Sequence, residues 1–428
     1  MNNPNIMLPG AAGFWRRHLV WLVALVVLLL VPQLLSSRVA IAVLNQMAIM
    51  VIFTVAYNML LGQGGMLSFG HAVYFGLGGY FAIHLINAIG ANEWAIPVVV
   101  VPLIGGLAGL VFAIIFGSFS TNRAGTVFAM ISLGIGELIA ASSLIFVKFS
   151  GGEEGVTGDR TDPPPFMGMK FASEVEVYYL IVVWMLIAVY LMYRFSRTPV
   201  GRIANAVRDN PERAEFVGYS QKRVRFVSFV VSGMFAGIAG ALFAINYEIV
   251  TEETVNAITS GVVLLQAYIG GVGFFAGPIV GAVVYTLLQT LLSNYTEIWA
   301  FYVGIVFVAT VMYAPAGLTG IIMMHQPIWR IGAMSTLIGP YIRVLLPGAI
   351  CAIGAIGMLE LLHFISVRGT GESTKNLFGI EVNADTPWPW LLFGVLLVAG
   401  FWFARRAAPS VVDAYQSALQ RAFSGDAK

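Results

Sequence analysis

From Leu44 to Gly90 the sequence contains no aspartate, glutamate, lysine or arginine, and apolar runs of similar length recur through most of the remaining chain. About 20 such residues cross a ~30 Å hydrocarbon layer as a helix, and in lipid every backbone N–H and C=O has to be satisfied inside the protein. The runs therefore constrain the chain to an all-α polytopic membrane protein. Composition agrees: 58% of the 428 residues are hydrophobic and 10% are charged, where a soluble domain carries roughly 25% charged residues. The net charge of +2 gives no basic face of the kind that binds nucleic acid.

Spans are expected at about 19–36, 39–61, 66–88, 96–118, 125–147, 177–193, 226–247, 258–270, 277–293 and 298–316, with two more at 343–366 and 388–404. Arg16-Arg17-His18 precede the first run with no small-residue cleavage site after it, which reads as a cytoplasmic N-terminus (residues 1–18) and a retained first span. Counting alternately places Asn122-Arg123, residues 194–225, Arg330 and Arg405-Arg406 on one side, as the positive-inside rule requires of cytoplasmic loops, and leaves both termini there. The opposite loops lack basic residues: 149–176 holds Glu153, Glu154, Asp159, Asp162, Glu174 and Glu176 against Arg160 and Lys170, and Tyr247–Val255 adds Glu248, Glu252 and Glu253. Such loops suit the docking of an outer binding protein or are simply solvated. Cys351 is the one cysteine, so no intrachain disulfide forms.

Two breaks interrupt the apolar runs. Gly62-Gln63-Gly64-Gly65 is followed by Ser68, His71 and further glycines, and backbone freed at such a break has to be buried in protein or line a watery cavity. Gln63, Ser68 and His71 are thus candidates for a translocation path, with the alternative that His71 is a core histidine bonded to neighbouring backbone. Glu137, near the middle of the 125–147 run, joins them, because a lone intramembrane carboxylate either serves function or ties helices together. Gln266 is the fifth candidate. The second break, with Gly270, Gly271, Gly273, Gly277 and Pro278, lacks the strand that a nucleotide loop needs and reads as a tight turn or a re-entrant hairpin.

The segment 194–225 is the one long polar stretch, with Arg194, Arg197, Arg202, Arg208, Arg213, Lys222, Arg223 and Arg225 against Asp209, Glu212 and Glu215. Thr198-Pro199 and Asn210-Pro211 each carry a helix-start signal, and Gly218 supplies a stop. Two short capped helices are more than a topological loop requires, although an ordinary basic loop at anionic headgroups is the simpler alternative.

The runs GQGGMLSFGHAVYFGLGGY (62–80), ISLGIGELI (131–139) with GGEEGVTG (151–158), RTPVGRIANAVRDNPERAEFVGYS (197–220) and GGVGFFAGPIVGAVV (270–284) resemble, in this order, permeases of branched-chain amino acid ABC importers of the LivM type over about residues 19–322. The resemblance implies a type II ABC importer-like core of about ten helices in a bacterial inner membrane. It also implies a second, LivH-like permease subunit, two cytoplasmic ATPase subunits that bind ATP and magnesium, and a periplasmic substrate-binding protein. This chain itself would bind no cofactor or metal and catalyse nothing. In such permeases a cytoplasmic motif E-A-A, three residues, then G couples to the ATPase. Glu212, Ala214 and Gly218 match it, with Arg208 and Asn210 beside it, and Arg213 stands where the first alanine would be.

Urea and short-amide permeases share the pattern, so the cargo stays open between these and small apolar amino acids. A rival of another class, an ion-coupled secondary transporter acting alone, expects paired midplane ionisable groups, of which only Glu137 is evident. No Walker A lysine is present, since none of Lys148, Lys170, Lys222, Lys375 and Lys428 follows a glycine. Residues 323–428, with two extra C-terminal spans and a polar loop between them, depart from the pattern.

Overall fold

The structure is a computed structural model that describes residues 11–35, 37–92, 94–368 and 373–424, with residues 11–20, 22 and 424 given by backbone alone. In chain order the helices are α1 (Ala11–Leu34), α2 (Arg38–Asn58), α3 (Ala72–Asn92), α4 (Val101–Ser120), α5 (Gly125–Ile145) and the short α6 (Val147–Ser150), then α7 (Glu174–Ser196), α8 (Pro199–Asp209), α9 (Pro211–Phe216), α10 (Gln221–Tyr247), α11 (Ala257–Gly270), α12 (Gly277–Ser293), α13 (Trp299–Tyr313), α14 (Gly317–Arg330), α15 (Ser335–Val367) and α16 (Pro387–Ser424). Two small antiparallel ladders complete the chain: β1 (Val156–Thr157) with β2 (Ile249–Val250), and β3 (Thr374–Leu377) with β4 (Ile380–Asn383).

Among the described residues eight helices are long and apolar enough to cross a membrane, or nine when the broken α13–α14 pair counts as one span. This is a multi-pass membrane protein. The runs expected at 258–270, 277–293 and 298–316 are helices of 14, 17 and 15 residues with nearly those bounds. At 1.5 Å per residue these measure about 21–26 Å, short of the hydrocarbon thickness. The expected span 66–88 starts late, at Ala72, because residues 64–71 are not helical. The expected cytoplasmic N-terminus falls largely outside the described residues: 1–10 are not described, and the side chains of Arg16, Arg17 and His18 are not given.

The chain forms two units, Met1–Gly320 and Ile321–Lys428. In the first, α10 is the central element, packed against α2, α3 and α4. Its glycines permit this. A side chain on Gly237 would run into the backbone of Gly105 and of Gly109, and one on Gly78 into the backbone of Gly237, so three helices approach at backbone distance. Without a hydrophobic drive between helices in lipid, such small-residue packing supplies the van der Waals contact.

The two ends of this unit are chemically different. At one end β1 pairs with β2, joining the 151–174 segment to the chain just past α10. There the buried Arg160 guanidinium donates to the carbonyls of Phe171 at 2.9 Å and Asn246 at 3.0 Å, and pairs with Glu174 at 3.0 Å. Asn45 on α2 donates to Asn246 Oδ1 at 2.8 Å. One arginine thus fastens the acidic loop to the ends of α7 and α10. In the sequence it is distinguished by nothing beyond being one of two bases in that loop.

In the second unit, α15 and α16 form a long antiparallel hairpin closed by the β3–β4 ladder. Lys375 on β3 pairs with the buried Glu360 of α15 at 2.6 Å, and Arg368 pairs with Asp385 at 2.7 Å. Helix α16 has 38 residues, about 57 Å, and so overruns the expected 388–404 span by some 20 residues. Its overrun packs back on the start of the unit, where Ile328, Leu337 and Ala418 form a small core and His325 Nε2 lies 2.5 Å from the Tyr341 hydroxyl.

Candidate functional site

Helix α2 ends in a single wide turn, Met59–Gln63, with Gly64 N–H donating to Leu60 O at 3.0 Å and Met66 N–H to the same carbonyl at 2.9 Å. The chain then runs without helix to α3, and two of its backbone donors are met by serines on other helices. Phe69 N–H donates to Ser132 Oγ of α5 at 3.0 Å, and Ala72 N–H to Ser260 Oγ of α11 at 2.9 Å. Both hydroxyls are buried. This satisfies the requirement that a broken membrane helix be completed by its neighbours. Neither serine stands out in the sequence, because a serine in an apolar run carries no sign of which backbone group it serves.

The polar segment reaches this break. Thr198 Oγ1 accepts from Gly201 N–H at 3.3 Å and Asn210 Oδ1 from Arg213 N–H at 2.9 Å, capping α8 and α9. Ala204, Val207 and Ala214 are buried against Val224 of α10, which seats both helices. From the last turn of α8, the Arg208 guanidinium donates to the carbonyl of Gly62, and its stem lies over Gly65, whose φ of +63° excludes most side chains. Arg208 also pairs with Asp209 at 2.8 Å. Gly62 in turn abuts the carbonyl of Val272, inside the second glycine break.

That break is a turn between α11 and α12. Gly271 sits at φ +112° against the carbonyl of Ala316, and Gly270 and Gly277 meet backbone to backbone. Pro278 lies in the first turn of α12, whereas Gly273 faces open space. The two glycine breaks and the polar helices therefore form one junction.

From Glu212 to Gly218 the environments divide. Ala214 is buried, Gly218 turns left-handed at φ +93°, and Glu212, Arg213 and the preceding Asn210 are exposed. The arginine that departs from the expected alanine thus sits where packing does not forbid it. Phe216, 91% exposed, stands at the tip.

Of the five path candidates, His71 and Gln266 both contact the last turns of α2. His71 is enclosed by aromatic rings, stacked on Phe53 at 5.6 Å and met by the edges of Tyr57 at 5.4 Å and Tyr74 at 5.7 Å. Ser232 donates to Ala56 O at 2.5 Å, so the contact of its oxygen with His71 Nε2 at 3.3 Å makes that ring nitrogen the donor. Gln266 is buried and accepts from Thr54 Oγ1 at 2.5 Å, a tie between α11 and α2. Ser68 is buried beside the break, and Gln63 is half-buried within it. Glu137 is exposed on α5, next to Gly136, which packs on the backbone of Gly70. Among the described residues no three of His, Cys, Asp and Glu group as metal ligands would.

The model of the family described as branched-chain amino acid transport system / permease component matches residues 39–315. This chain belongs to that family. The permease is 25% identical over 340 residues to the high-affinity branched-chain amino acid transport system permease protein LivM of Escherichia coli K12, covering 74% of this chain and 79% of that protein. It is also 25% identical over 273 residues to a probable branched-chain amino acid transport permease protein LivH of Methanocaldococcus jannaschii, covering 59% and 83%. A shorter similarity, 24% over 193 residues, links it to the guanosine ABC transporter permease protein NupQ of Bacillus subtilis, covering 44% and 59%. No solved structure gives a significant match. The family match takes in the α2 break, α8, α9 and the glycine turn of the permease, and ends before its second unit begins.

Proposed function

We propose that this permease is the membrane subunit of an ATP-driven importer of branched-chain amino acids. It pairs with a second permease, with two ATPase subunits on the side of α8 and α9, and with a substrate-binding protein at the opposite end. The observation that carries the reading is the Arg208-to-Gly62 contact. A rigid, capped helix pair outside the spans holds the end of a broken span by one charge-assisted hydrogen bond, so a push on α8 moves the break directly. Orientation follows the same reading: the junction and both termini are cytoplasmic, and the Arg160 network faces the binding protein.

The test is reconstitution with the partner ATPases, permease and binding protein. Leucine uptake is expected to require ATP, and replacing Glu212 and Gly218 together is expected to release the ATPase during purification. ATP-independent uptake by this chain alone would end the proposal.

A further inference from the structure

Helix α5 makes little contact with the rest of its own unit and presents an apolar face outward, with Val127, Met130, Leu133 and Leu138 exposed. One carboxylate interrupts that face. At 100° per residue Glu137 falls within about 40° of Met130 and Leu133, and it is exposed with no ion-pair partner among the described residues. Beside this face lies a partly open cavity of about 530 Å³, walled by Gly65, Leu67 and Phe69 of the segment after the break and by Ala129, Met130 and Leu133 of α5. Almost nothing polar lines it. Leu133 and Glu137 stand one helical turn apart, with Cβ atoms about 5–6 Å from each other. The methyl carbons of a leucine lie four bonds from its ammonium nitrogen, about 4–5 Å away, slightly less than that spacing.

We propose that this cavity and Glu137 form a way-station for the cargo, with the branched side chain in the apolar cavity and the ammonium group on the Glu137 carboxylate. The assignment rests on the proposed importer function. The feature that selects this occupant is the pairing of chemistries: a lipid chain or an apolar helix would fill the cavity equally well and would leave an ionised carboxylate facing hydrocarbon. The cargo's carboxylate is left toward the open side, which suits a site that must release. Because the segment after the break forms one wall, a shift at Gly62 reshapes the cavity, and the site is tied to the junction.

The experiment uses the complete importer in proteoliposomes and a diazirine analogue of leucine, irradiated during ATP turnover and mapped by mass spectrometry. Label is expected on residues 126–137 and 65–69 and is competed away by excess leucine. Glu137→Gln is expected to lower both labelling and uptake at least fivefold while ATP hydrolysis stimulated by loaded binding protein stays within twofold, and Glu137→Asp to restore part of the loss. Label confined to other segments, label indifferent to competing leucine as in a lipid- or helix-filled groove, or intact labelling and uptake in Glu137→Gln would each overturn the proposal. Absence of ATP-dependent leucine uptake by the unaltered complex would overturn the importer function with it, whereas uptake with label elsewhere overturns this site alone.

Discussion

Single residues at the two ends of the first unit carry unequal weight. Arg208 holds a backbone carbonyl at the end of a broken helix, and hydrogen bonds to charged groups contribute about 1.5–3 kcal/mol. Arg208→Ala is therefore expected to lower ATP-driven uptake by roughly tenfold to a hundredfold, while Arg208→Lys, which keeps charge and loses the planar fork, recovers part of it. Parallel assays of uptake and ATP hydrolysis decide this, since loss of coupling leaves hydrolysis running. At the other end, Arg160→Met strands three backbone carbonyls and two carboxylates. Breaking a buried pair costs about 3–5 kcal/mol, but Glu174 and Glu248 keep roughly a third of their surface in water, so about 1–3 kcal/mol is expected in thermal unfolding in detergent. Arg208 is legible from the sequence as part of a basic helix, and its target is not. Hydrogen bonding to Gly62 spans 146 residues of chain, and no local pattern encodes such a distance.

At the scale of elements, the break after α2 survives because α5 and α11 each supply a hydroxyl. Ser260→Ala leaves a buried N–H unpaired, worth about 1–3 kcal/mol, and Ser132→Ala a partly buried one, toward the lower end of that range. The double variant is expected to show nearly additive loss of detergent melting temperature, because the two bonds share no partner. Packing of α10 is stricter. Gly237→Val places a branched side chain into the backbone of α4 at Gly105 and Gly109, where nothing flexible can yield, and overpacking of this kind costs about 1–3 kcal/mol or more. Melting of that variant in detergent, compared with the tolerant Gly134→Ala on the open face of α5, measures the difference. The start and stop signals of α8 and α9 are readable because Thr198, Asn210 and Gly218 act on their own neighbours. The short helices α11, α12 and α13 are legible in the sequence as apolar runs, whereas the bend that joins α13 to α14 is not, because apolar composition marks what is buried from water without fixing where a helix breaks.

For the whole molecule, the arrangement of ends makes the topology testable. In a Cys351→Ala background, a cysteine at Phe216 is expected to react with an impermeant maleimide only from the cytoplasmic side, and a cysteine at Glu153 only from the outside. In the second unit, Lys375→Met removes the described cation from the buried Glu360 carboxylate. It is expected to loosen the β3–β4 hairpin from α15, read as faster protease cleavage between residues 368 and 386, with the melting of the first unit unchanged. The extension is visible in the sequence as two further apolar runs. Its self-contained hairpin, with ladder and ion pairs at one end and a returning helix at the other, is not.

Membrane residence, helical class, the two glycine breaks and the capped polar helices are determined by the sequence alone, because each depends on composition or on neighbours within a turn or two. Which groups meet is decided only by the tertiary structure. His71 belongs to an aromatic core, Gln266 is a tie to Thr54, and Glu137 stands on an open face, since the side on which an apolar helix carries its one polar residue depends on what the other helices cover. Lipid and protein interior are nearly alike to an apolar side chain, so hydropathy alone cannot tell these surroundings apart.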